Sequence, residues 1–252
     1  MDARLLILTY HGIHEAYNPL QDDSIYSIPH NDFTLQLDYI SGMNCQLSIL
    51  SAAVDRTRCN HLVLTFDDGL SSAGESVWPE LQKRGMRATF FIPPGCIGKA
   101  SYIDWPTVRR MASQGAEFGT HGYYHLPFAA LDDRLLRQEI VRSKLELEDK
   151  LGTEVRVLAA PGGSLHPRAA AIARQAGYLH FCTSRRILNP LPAHFMLGRF
   201  PLKRKTPEWL FRSTARINSS ATALHRVIDL SKSSSKRLFP GLFSGLRKLV
   251  QG

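Results

Sequence analysis

Five short apolar runs, at 5–8, 61–66, 88–92, 116–119 and 155–159, recur along the chain, each followed by a turn signal and then a helical pattern. Strands separated by helices return to the same sheet by crossover, so the alternation predicts a mainly parallel sheet. The segments between the runs carry helix punctuation. Stretches 71–85 and 104–115 open near Ser or Asp, hold Pro within the first or second turn and end at Gly. The clearest helix is 132–152, with Leu136, Ile140, Leu147 and Leu151 on one stripe and Gly152 as its C-cap; another is expected over 166–176. The pattern defines an α/β fold whose sheet is either open or closed into a barrel. In both forms chemistry gathers at the C-terminal ends of the strands, which directs attention to the residues just after each run.

At 252 residues, 44% of them hydrophobic, the chain suits one large domain with a substantial core. No apolar run approaches the roughly 18 residues of a membrane span. The net charge of +9 is confined to one end: 203–252 holds eleven Lys/Arg against Glu208 and Asp229, while 1–202 is balanced. The basic pI therefore describes a terminus, and a nucleic-acid partner is not expected. Within that terminus, 226–252 forms a basic amphipathic tail after a catalytic unit at 1–225, with Leu238, Phe239, Leu242, Phe243 and Leu246 among basic residues. Such a tail suits peripheral contact with an anionic membrane or docking on a partner, although Pro240 weakens a helical reading. Cys45, Cys59, Cys96 and Cys182 form no CxxC pair and are expected as reduced thiols. The residues before Tyr10-His11 lack the regions of a secretory signal, and a cytoplasmic location is the expectation.

Three strand ends carry candidate chemistry. In LVLTFDDG (62–69), Asp67 and Asp68 follow a strand and precede a Gly turn. One carboxylate bound to a cation would let the other stay nearby as a base, because the metal offsets the repulsion between them. In EFGTHGYYH (117–125), His121 and His125 lie four residues apart with Gly122 between them, a spacing that lets both rings reach one metal if the segment coils. One Asp oxygen and two His nitrogens make the open three-ligand set of catalytic zinc. The third end, APGG at 160–163, is a turn whose Gly162 and Gly163 let backbone approach a ligand closely.

Taken in order, TFDDG (65–69), ATFFIPP (88–94), THGYYH (120–125) and APGG (160–163) resemble the polysaccharide deacetylase family, the NodB-homology domain of carbohydrate esterase family four, over residues 5–200. The resemblance implies a distorted (β/α) TIM-like barrel of seven or eight strands in a single domain, a divalent metal with Zn2+ as the default, and hydrolysis of an acetyl group on a saccharide. It assigns Asp67 as catalytic base and Asp68, His121 and His125 as metal ligands. Amide hydrolysis needs a polarised carbonyl, an activated water and a proton donor to nitrogen. Backbone N–H groups near 66–69, or Tyr124 and the Pro161-Gly162-Gly163 turn, are candidates for contacting the substrate or its oxyanion.

Two family features are missing from their usual places. Ala159 or Ala160 stands where the family has an Arg, and no late Leu-x-His supplies an acid. The subgroup resembling poly-N-acetylglucosamine deacetylases has a permuted order, with a Tyr-His at the first strand. LTYHGI (8–13) looks like that element. In a closed barrel the first and last strands are neighbours, so His11 is placed to act as the acid. His166, after the Pro-Gly-Gly turn, is its rival, and Arg199 in MLGRFPL (196–202) is the candidate replacement for the missing Arg. The leading expectation is a metal-dependent deacetylase of an acetylated sugar, set against an amide hydrolase on a non-sugar molecule and a non-catalytic saccharide-binding or membrane-associated scaffold.

Overall fold

The computed structural model describes residues 3–14, 25–163 and 165–218, together with 223 and 225. The predicted tail at 226–252 lies outside the described residues. The five apolar runs become parallel strands: β1 (Arg4–Tyr10), β2 (His61–Phe66), β3 (Thr89–Ile92), β4 (Glu117–Thr120) and β5 (Val157–Ala159). They pair in that order and continue to β6 (His180–Cys182) and β7 (Met196–Leu197). The short β8 (Phe200–Pro201) pairs with β1, matching Leu8 with Phe200 and Thr9 with Pro201. One extended segment, 196–201, thus touches the last full strand with its first half and the first strand with its second, and the sheet closes as a distorted (β/α) barrel of eight strands.

Asn189 holds this junction. Its buried amide donates to the carbonyls of Gly198 (2.9 Å) and Leu5 (3.3 Å) and accepts from the Gly198 N–H at 2.8 Å. Gly198 is confined as well, since a Cβ there would lie 2.5 Å from the Arg185 carbonyl oxygen.

Side chains alternate between two packed layers, as strand geometry requires. Leu5, Ile7, Val63, Phe91, Val157, Ala159, Cys182 and Leu197 form one apolar cluster and fill the barrel. Leu6, Leu8, Tyr10, Leu62, Leu64, Phe66, Phe90 and Leu158 point the other way, into a second cluster shared with the helices. Near the β4 end the interior narrows: a Cβ on Gly119 would approach the Phe91 ring and the Val157 carbonyl to 2.7 Å.

The outer layer contains α1 (His30–Ser41), α2 (Trp78–Lys83), α3 (Trp105–Ser113), α4 (Asp133–Leu151), α5 (Ala169–Gln175) and α6 (Glu208–Ala215). Asp104 and Asp132 cap α3 and α4 by accepting from the N–H of Thr107 and Leu135. Gly152 ends α4 in the left-handed conformation, with φ of 66°. Leu136, Ile140 and Leu147 are buried as the stripe requires.

Two helical expectations shift. The stretch expected as one helix from 71 begins as a wide π turn, Ala73–Val77, ahead of Pro79, which has no N–H to return to the preceding turn; the Ser72 hydroxyl accepts from the Ile13 N–H and does not cap the helix. The helix expected from 166 starts at Ala169, since Pro167 disfavours helical backbone at the residue before it.

Candidate active site

Strand parity carries the site. Odd positions of β1 and β2 face the barrel interior, so Thr9 and Thr65 sit above the apolar layer, their hydroxyls 3.0 Å apart. One step further, beyond the strand ends, come His11 and Asp67. The Asp67 N–H donates to the Tyr10 carbonyl at 2.9 Å, extending the β1–β2 ladder beyond the strand ends. His121 follows β4 in the same sense, its N–H bonded to the Ile92 carbonyl at 3.0 Å. Arg199 enters from the 196–201 segment. Thr9, His11, Asp67 and His121, with Asp68 and His125, surround a depression of about 300 Å³ also lined by Tyr26, Ser184 and Arg186, and Arg199 lies behind Asp67.

Asp68 would point away from the barrel if β2 continued. Its φ of 74°, followed by Gly69 at 67°, turns the carboxylate back into the site. His125 also has a positive φ, 61°. Positive φ in two non-glycine residues of one cluster is local strain held in place by its surroundings. The resulting distances are short: Asp68 Oδ1 lies 3.4 Å from His121 Nε2 and 3.0 Å from His125 Nε2.

The donor set fits a divalent cation. One oxygen and two imidazole nitrogens, from Asp68, His121 and His125, lie within 4.8 Å of one another. The orientation of His121 agrees, because its Nδ1 is 2.9 Å from the Ala159 carbonyl, which can only accept. In the neutral ring the proton therefore sits on Nδ1 and the Nε2 lone pair faces Asp68, the arrangement that metal-binding imidazoles use. Burial alone would raise the Asp68 carboxyl, but hydrogen bonds with His121 and His125 and the charge of His121 and His11 hold it far below the carboxylate range. His125 is raised: the Asp68 carboxylate outweighs the lowering effect of burial.

Asp67 is engaged differently. Arg199 grips it through two bonds, Nη1 to Oδ1 at 2.7 Å and Nη2 to Oδ2 at 2.8 Å, and both groups are almost wholly buried. Arg199 Nη1 also reaches the Thr65 hydroxyl at 3.4 Å, and its Nε donates to the Thr183 carbonyl at 3.3 Å. Burial pushes the Asp67 carboxyl up, yet the guanidinium, with His121 and His11, brings it below the ordinary value. His11 stacks on Tyr26, with ring centroids 4.6 Å apart. Its Nδ1 is buried without a hydrogen-bond partner among the described residues, and burial lowers its pKa more than the two carboxylates raise it.

Not every expected residue reaches this cavity. His166 faces α4: its Nδ1 accepts from the Arg168 N–H at 3.1 Å and its Nε2 lies 3.8 Å from Asp133. Pro161 is buried beside the cavity, which Gly162 and Gly163 line. Tyr124 does not line it: half its ring is exposed, and its N–H already donates to Glu139 at 3.0 Å. Sequence reasoning missed Tyr26, Ser184 and Arg186, and it missed Glu139. A signal for Glu139 existed, because a Glu three residues after Leu136 and one before Ile140 falls on the apolar stripe of α4.

A (β/α) barrel with an open Asp-His-His donor set at the C-terminal ends of its strands is the class that fold and site define. Residues 55–181 match the profile of the polysaccharide deacetylase family, and the chain belongs to that family. Among curated proteins it is similar to the putative polysaccharide deacetylase YxkH of Bacillus subtilis (strain 168), 25% identical over 182 residues, which are 70% of this chain and 63% of the relative. The chain thus spans less than two thirds of that relative's length. Among solved structures it resembles IcaB from Ammonifex degensii, with a TM-score of 0.75 and 24% identity over 85% of this chain and 97% of the other. It also resembles the Streptococcus pyogenes deacetylase PplD in complex with acetate, with a TM-score of 0.74 and 20% identity over 81% of this chain and 95% of the other. These likenesses confirm the barrel fold. No helix among the described residues is long and apolar enough to cross a membrane.

Proposed function

We propose that the chain is a metal-dependent hydrolase that removes the acetyl group from an N-acetylated sugar, releasing acetate and a free amine. The observation that carries this reading is the separation of two adjacent carboxylates into two tasks: Asp67 is locked to Arg199, and Asp68 is turned toward His121 and His125. Adjacent carboxylates in a mere turn would have no such division.

A divalent cation held by Asp68, His121 and His125, with zinc the first choice for that donor set, supplies Lewis acidity that polarises the acyl carbonyl. Arg199 keeps Asp67 ionised and fixed, while the second lone pair of each carboxylate oxygen stays available to accept a proton from the attacking water. His11 lines the same cavity, and once protonated its buried, acidified ring readily donates to the departing nitrogen. Gly162 and Gly163, both at positive φ, line the cavity, and since a Cβ on Gly162 would meet no protein atom within 4 Å, a sugar can approach the backbone there.

The test is acetate release from a panel of N-acetylated oligosaccharides by protein stripped of metal and then reloaded with Zn2+. Activity should return with stoichiometric metal. His11→Ala should bind the same amount of metal yet lose roughly 10²–10⁴-fold in kcat. Release from non-sugar amides alone would move the reading to a small-molecule amidase, and stoichiometric metal without turnover on any substrate would leave a binding protein.

A further inference from the structure

Glu139 lies at 3% exposure on the face of α4 that packs beneath the 121–125 loop. A carboxylate so deeply buried requires strong partners, and those it has are unusual: Oε2 accepts from the N–H of Tyr123 at 2.8 Å and of Tyr124 at 3.0 Å, and Oε1 reaches the Tyr124 N–H at 3.2 Å. Both amides belong to the residues between the two histidines. The backbone accommodates the contact through Gly122 at a φ of 69°, where any Cβ would stand 2.7 Å from Glu139 Oε2.

Two turns along the same helix, Glu146 accepts from the Tyr123 hydroxyl at 2.8 Å, and between them the Arg142 guanidinium sits 3.8 Å from the centre of the Tyr123 ring. From the opposite side, the Gly95 N–H donates to the Tyr123 carbonyl at 2.9 Å. The loop's path between its two imidazoles is therefore set by groups that touch neither ring. Of these, only Glu139 is a charged group engaging consecutive main-chain donors.

We infer that Glu139 is a positioning residue for the metal site: its carboxylate fixes the turn at Tyr123-Tyr124 so that His121 and His125 converge on Asp68. The reasoning is geometric. A left-handed His125 preceded by two N–H groups aimed at one buried anion is a backbone course the loop cannot hold unaided, and small displacements of ring nitrogens weaken coordination. The inference rests on the metal reading above, so its test begins with wild-type protein.

Zn2+ affinity is measured by competition with a chromophoric chelator, and the ligand field is read from the visible spectrum of the Co2+ form. Wild-type protein that binds neither ion would remove the metal reading itself. With wild type binding, Glu139→Gln, which loses the charge and turns an N–H2 group toward one of the loop amides, should weaken Zn2+ binding roughly 10–100-fold and alter the Co2+ spectrum. Circular dichroism of the metal-free variant should report an intact fold. Glu139→Asp, which keeps the charge but falls short of the amides, should weaken binding in the same direction and serves if the Gln variant does not fold. Wild-type affinity and spectrum in whichever variant folds would overturn the inference. Failure of both to fold would overturn it too, marking Glu139 as a residue of general stability.

Discussion

A guanidinium and a carboxylate, both almost wholly buried, are tolerable only as a pair, and Arg199 and Asp67 meet in the two-pronged geometry that suits arginine. Replacing Arg199 with Met removes the charge while keeping much of the volume, and it leaves the Asp67 carboxylate buried and uncompensated. Metal-free Arg199→Met should therefore lose about 3–5 kcal/mol near neutral pH, read from urea unfolding. The pH dependence has a definite sign. In wild type, the Asp67 pKa is lowered, so its contribution is complete above the unfolded carboxylate value of about 3.9 and is lost as pH falls through the folded value. In the variant burial dominates and raises the Asp67 pKa, so acidification relieves the penalty. The stability gap between the two proteins should thus narrow as pH falls from neutrality, and a gap that is constant or widens would refute the pairing argument. A sequence holds little trace of such a pair: 132 positions separate its members, and only the resemblance around MLGRFPL marked Arg199.

The element that brings Arg199 to Asp67 is the extended segment 196–201, and it carries no run of apolar residues long enough to announce a strand. Its two pairs of ladder residues, Met196-Leu197 and Phe200-Pro201, belong to different neighbours, and the turn of register between them falls at Gly198-Arg199. Strands β1 to β5 were legible because each buries both faces, one against the barrel interior and one against helices, and so reads as a continuous apolar run. The segment 196–201 was not, because its order comes from Asn189, whose side chain replaces ladder partners for both the N–H and the carbonyl of Gly198. Asn189→Ala should leave those two buried groups unmatched and cost roughly 2–4 kcal/mol in urea unfolding. It should also loosen Arg199 and reduce kcat/KM beyond what the lost stability explains at temperatures where the variant is fully folded. Full activity per folded molecule would mean that Arg199 is placed by Asp67 alone.

Across the whole molecule, the parity of parallel strands made half of the site readable: His11, Asp67 and His121 all extend the interior-facing register of β1, β2 and β4. Asp68 and His125 break that register through positive φ, which no side-chain pattern encodes; residue type and spacing made them candidates, and the motif resemblance gave them their roles. Their placement has a global consequence. Asp68 follows β2 and the two histidines follow β4, with β3 lying between these strands in the barrel, so a cation held by all three ties loops from non-adjacent strands. A ligand that binds the folded chain far better than the unfolded one stabilises it by RT ln(1 + [L]/Kd), about 4 kcal/mol when free metal is 1,000 times Kd. The unfolded chain competes weakly through its free cysteines and scattered histidines, which lowers that figure without changing its sign. The unfolding midpoint should accordingly rise with each decade of free Zn2+ above Kd. Asp68→Ala should abolish the dependence, because the three donors no longer converge, whereas His11→Ala should retain it, because His11 is outside the donor set. A midpoint indifferent to Zn2+ in the wild-type chain would refute the metal centre, and a response lost in His11→Ala would make that histidine a ligand instead of the acid we propose.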